Sequence, residues 1–92
     1  MRSASIEART TASLLVFARV GFVVPRYKHS AVARNQLKRR LRELVRLHVL
    51  PTAPACDVVF RVVPSAYHRP FDALREEVQQ LAARLARLHT TP

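Results

Sequence analysis

The chain has 92 residues, room for one small domain with a single core. Sixteen Lys and Arg stand against six Asp and Glu, a formal charge of +10, which points to a polyanion as partner. Its one cysteine, Cys56, excludes a disulfide framework and a thiolate-rich zinc site, and no apolar run is long enough to span a membrane, so a cytoplasmic location is expected.

Residues 1–13 are weakly patterned and are expected to form a weakly structured N-terminal segment. A frayed tail, a short edge strand and a stub of helix all suit SASIEARTTAS. Residues 14–24, LLVFARVGFVV, are β-branched and aromatic and predict a strand. Alternation sends Val16, Ala18, Val20, Phe22 and Val24 to one face, toward a helix layer. Leu15, Phe17, Arg19, Gly21 and Val23 take the other, where Gly21 suits a bulge or a close backbone approach.

Pro25 closes that strand, and Ser30 is suited to cap a helix from about Ala31 to His48 or Val49. Leu37, Leu41, Leu44, Val45 and His48 share one face of this helix at 3.6-residue spacing. Arg34, Asn35, Lys38, Arg39, Arg42 and Arg46 fill the adjoining arc, and Glu43 is the helix's only acid. Solvated helix faces usually mix signs, so a one-sided ridge reads as a phosphate-binding surface. Arg26 and Lys28 add charge just ahead of the helix.

Pro51 and Pro54 stop the helix. Residues 57–63, DVVFRVV, predict a second strand, with Val58, Phe60 and Val62 on the core side and Val59, Arg61 and Val63 opposite. Arg61 repeats the pattern of Arg19, one arginine on an otherwise apolar strand face, which suggests a sheet with one open, positive side. Residues 64–70 read as a loop. Leu74, Val78, Leu81, Leu85 and Leu88 then mark a second amphipathic helix, with Asp72, Glu76 and Glu77 early and Arg84 and Arg87 late, as the helix dipole favours. Residues 14–90 are expected to form a single domain that binds a nucleic-acid backbone.

No catalytic or metal-binding constellation stands out. The acids form no D-x-D-like cluster, the four histidines have no ligand spacing, and one glycine cannot build a phosphate loop.

The stretch 31–43, AVARNQLKRRLRE, resembles the signature A-V-x-R-N-R-x-K-R-x-x-R-E of the bacterial ribonuclease P protein component. Ala31, Val32, Arg34, Asn35, Lys38, Arg39, Arg42 and Glu43 match it. The strand before it and DVVFRVVP with the helix after it extend the likeness over about residues 18–88. Gln36 stands where the signature has its second Arg. Of the usual Lys-Lys-x-Gly-Asn that precedes the pair, Gly is His29 and Asn is Ser30.

The resemblance implies an α+β fold, a small sheet packed on two helices, like domain 2 of ribosomal protein S5. It further implies a left-handed crossover between the two predicted strands and an N-terminally shortened member. It implies an RNA-binding domain over 14–90, in a protein subunit with no catalytic residues of its own. The RNA subunit would hold Mg²⁺ and cleave the 5′ leader from precursor tRNA. The protein would be a monomer in a 1:1 complex, binding the catalytic RNA through Arg26, Lys28, Arg34, Asn35, Lys38, Arg39, Arg42 and Arg46. Phe17, Arg19 and Arg61 would line the surface for the leader, a base stacking on Phe17 and the arginines holding the backbone. The competing readings are a non-catalytic basic RNA- or ribosome-binding module and, for the last three residues, a core Phe17 with arginines reaching to solvent.

Overall fold

The computed structural model describes residues 1–12 and 15–88. Its elements in order are β1 (Ile6–Ala12), β2 (Arg19–Val23), α1 (Ala31–His48), β3 (Cys56–Val62), a 3₁₀ turn (Pro64–His68) and α2 (Phe71–Leu88). The strands form one sheet in the order β1-β3-β2. β3 is therefore central. It pairs antiparallel with β1 and parallel with β2, and α1 is the crossover between the parallel pair.

Alternation along β3 sends Cys56, Val58, Phe60 and Val62 inward. Leu37, Leu41, Leu44 and Val45 of α1 and Leu74, Val78, Leu81 and Leu85 of α2 join them in one buried cluster. Phe60 is 1% exposed and faces Phe22 with ring centroids 6.2 Å apart. Burying one such side chain contributes about 1.5–3 kcal/mol. Local signals hold α1 in place. The Ala33 N–H donates to the Ser30 hydroxyl at 3.0 Å, and the Val49 N–H closes the far end on the Val45 carbonyl. Cys56 is a buried core residue.

Of the forms left open for the N-terminal segment, residues 6–12 take the short edge strand, β1. Ile6 and Ala8 sit at 0% exposure within the core, opposite Val62 and Phe60. Alanine and threonine give a weak strand signal, and the pairing with β3 supplies what propensity does not. The strand expected over 14–24 is limited to Arg19–Val23, because Arg19 faces Asp57 near the start of β3 and little partner strand lies beyond it. Val16, expected in the core, is 96% exposed. Leu14 and residues 89–90 lie outside the described residues. The predicted loop over 64–70 contains the 3₁₀ turn, with Ala66 buried. Gly21 marks neither a bulge nor a close approach. Its pairing with Val59 is regular, and a Cβ added there would meet Val59 at an ordinary 3.6 Å.

One polar group ties the N-terminal segment to α2. Glu77 is 6% exposed. Its carboxylate accepts hydrogen bonds of 2.6 Å from the Ser3 hydroxyl, the Ser5 N–H and the Ser5 hydroxyl, and Arg69 lies 3.5 Å away. Burial alone would raise its pKa. The Ser3 and Ser5 donors and the Arg69 charge more than offset that and hold it below the usual glutamate range.

Candidate nucleic-acid interface

The ridge on α1 is present as a surface, but its members are not equivalent. Asn35, Arg39 and Arg42 are exposed and Lys38 is half-buried. Arg34 is half-buried, and its Nε donates to the Val24 carbonyl at 2.8 Å, fastening the first turns of α1 to the end of β2. A guanidinium has further donors, so Arg34 can still meet a phosphate. Arg46 pairs with Glu43 one turn back. That contact raises the Arg46 pKa and lowers the Glu43 pKa, each mainly through the hydrogen bond between them. Arg26 donates from Nε to the His29 carbonyl at 3.2 Å, and Lys28 is exposed on the same turn.

The second surface is the side of the sheet away from the helices. Strand register lays three rows across it: Glu7, Arg61 and Val23; Arg9, Val59 and Gly21; Thr11, Asp57 and Arg19. Arg19 and Arg61 thus share the outer face, as alternation predicts. They lie four residues apart along the sheet, about 13 Å. Arg19 is held by Asp57 through Nε at 2.9 Å and a terminal nitrogen at 2.7 Å, and these hydrogen bonds, then the opposite charge, push its pKa up. Arg61 makes no ion pair among the described residues. Phe17 is 57% exposed and lies ahead of β2 rather than within it.

Two contributors escaped the sequence reading. Arg9 enters this face through β1 and pairs with Glu7 at 3.1 Å. Asp57 neutralises Arg19. Alternation along residues 57–63 already places Asp57 on the side of Arg61, but its position opposite Arg19 depends on register. Glu7, Glu43, Asp57, Asp72 and Glu77 each pair with an arginine. Among the described residues, no three His, Cys, Asp or Glu side chains gather as a metal site, and no helix is long and apolar enough to cross a membrane.

Residues 2–86 match the family model described as Ribonuclease P. The chain belongs to the ribonuclease P protein family. It is 40% identical over 70 residues to the ribonuclease P protein component of Kocuria rhizophila, covering 76% of this chain and 62% of that protein. The component from a Nocardioides species is 41% identical over 68 residues, covering 74% and 58%. The chain thus spans about three fifths of the length of these curated relatives. The ribonuclease P protein of Thermotoga maritima has the same fold, with a TM-score of 0.81 over 98% of this chain and 83% of that one, at 24% identity. The match takes in the whole of α1, where Arg34 and Asn35 stand at the first turns and Lys38, Arg39 and Arg42 follow.

Proposed function

We propose that this chain is the protein subunit of ribonuclease P, a monomer that pairs 1:1 with the catalytic RNA in the cytoplasm. The observation that carries the reading is the one-sided ridge of α1 in a chain of this family. Arg34, Asn35, Lys38, Arg39, Arg42 and Arg46, with Arg26 and Lys28 ahead of them, bind phosphates of the catalytic RNA. Mg²⁺, held by that RNA, supplies the activation of water for endonucleolytic removal of the 5′ leader. The protein's part is electrostatic. A basic chain lowers the repulsion between two polyanions and strengthens their association at low salt. Mixing the protein with its cognate catalytic RNA and precursor tRNA should raise 5′ processing at low Mg²⁺ and physiological salt. No gain would leave only a non-catalytic RNA- or ribosome-binding module.

The leader lies along the outer face of the sheet, with Phe17 as a stacking ring and Arg19 and Arg61 on its backbone. Arg61 contributes more than Arg19, whose charge Asp57 already balances. Arg19→Ala with Arg61→Ala should weaken binding of precursor with a leader of several nucleotides by roughly tenfold, while mature tRNA binds as before. Asp57→Asn should act with the opposite sign, releasing Arg19 and steepening the salt dependence for precursor alone. Equal losses for precursor and mature tRNA in the double variant would refute this placement of the leader.

A further inference from the structure

Beside the N-terminal end of α1, two short turns bring four rings together. Tyr27 and Lys28 both have left-handed backbone, φ 46° and 70°, and the His29 N–H closes the turn on the Arg26 carbonyl at 2.8 Å. Two non-glycine residues at positive φ cost conformational energy, so contacts around them must hold the turn. The Tyr27 hydroxyl donates to the Val62 carbonyl at 3.0 Å, and the Tyr67 hydroxyl donates to the Pro25 carbonyl. Tyr27 meets Tyr67 edge-on at 6.5 Å.

The result is a pre-arranged stack. The His29 ring lies flat on Tyr67, centroids 4.0 Å apart and planes within 2°. His68 approaches His29 at 5.4 Å and 60°. His68 is exposed, and His29 and Tyr67 are half-buried. Arg26 donates to the His29 carbonyl, and Arg34 donates to the Val24 carbonyl, next to the Pro25 carbonyl that holds Tyr67, so the ring stack borders the basic ridge.

We propose that the Tyr67–His29 stack, with His68 beside it, is a docking platform for one unpaired nucleobase, whose flanking phosphates meet Arg26 and Lys28. A planar base extends a parallel pair of rings at little ordering cost, because the Tyr67 hydroxyl is tied to the Pro25 carbonyl and the His29 main chain is tied twice to Arg26. Base–aromatic stacking tolerates any base, so the platform adds affinity that salt does not screen, where the ridge adds affinity that salt does. The inference rests on the chain's being an RNA-binding subunit. It concerns a base contact separate from both the ridge and the outer face of the sheet.

The test compares two probes of equal charge, an eight-nucleotide oligoadenylate and an abasic ribose-phosphate oligomer of the same length. The chain has two tyrosines, Tyr27 and Tyr67, and no tryptophan, so its intrinsic emission comes from this cluster. Oligoadenylate should bind roughly tenfold more tightly than the abasic oligomer and change the tyrosine emission. His29→Ala should remove that preference without changing the salt slope, and His29→Phe should keep it. A preference that survives His29→Ala but is lost in Phe17→Ala would overturn the platform, as would equal binding of both probes with normal salt dependence. Either result leaves the RNA-binding reading intact. Failure of both probes to bind at low salt would overturn that reading and the platform with it.

Discussion

Replacing Lys38, Arg39 and Arg42 together with alanine should weaken binding of the ribonuclease P RNA by on the order of a hundredfold at physiological salt. It should also lower the slope of log affinity against log salt by about 2–3, since each phosphate contact contributes about 0.9 on duplex and about 0.7 on single strands. These three side chains are chosen because, among the described residues, they make no ion pair or side-chain hydrogen bond that the fold depends on. Arg34→Ala would also remove the Nε bond to the Val24 carbonyl, and Arg46→Ala would leave Glu43 unpaired, so either would mix folding with binding. The triple variant should instead unfold no more easily than the parent. Lys38 and Arg42 are like charges four residues apart, and removing such a pair relieves a few tenths of a kcal/mol of repulsion. A lower affinity with an unchanged salt slope would mean that the ridge does not contact phosphates.

What the sequence disclosed and what it concealed follow from the range of the interactions involved. The 3.6-residue stripes of Leu37, Leu41 and Leu44 and of Leu74, Val78, Leu81 and Leu85 are local patterns, and all seven side chains are buried. The Ser30 cap is equally local. By contrast, β1 exists because Ile6 and Ala8 find Val62 and Phe60 more than fifty residues away, and nothing in IEARTTA announces that partner. The same holds for the candidate site. Alternation places Arg19 and Arg61 on one side of the sheet. That Asp57 sits opposite Arg19 and clamps it is a property of the β2–β3 register. His29, Tyr67 and His68 are likewise separated in sequence and meet only because a left-handed turn and a 3₁₀ turn come together at the head of α1.

Glu77→Ala should have the largest effect on stability, a loss of about 2–4 kcal/mol. The carboxylate accepts three hydrogen bonds of 2.6 Å in a buried site, and hydrogen bonds to a charged group contribute about 1.5–3 kcal/mol each in mutational series, though not additively. Its removal also strands the Ser5 N–H and hydroxyl in a buried position and leaves Arg69 without its carboxylate. The pH dependence has a definite sign. The folded-state pKa of Glu77 is depressed, so over the interval below the ordinary glutamate value of about 4.3 the unfolded chain binds the proton first. The stabilisation is therefore complete above that value and is lost as pH falls through the folded-state pKa. Urea unfolding at pH 7 and at points below pH 4 should show the parent losing stability with acid more steeply than Glu77→Ala. Glu77→Gln, which keeps the shape but not the charge, should fall between the two at pH 7. Amide exchange at Ile6 and Ala8 should quicken in Glu77→Ala before exchange at Phe60 does, because Ser3 and Ser5 lead directly into β1 while β3 is held from both sides. Equal acid slopes in the parent and Glu77→Ala would show that another carboxylate governs acid unfolding and that the tie between the N-terminal segment and α2 contributes little.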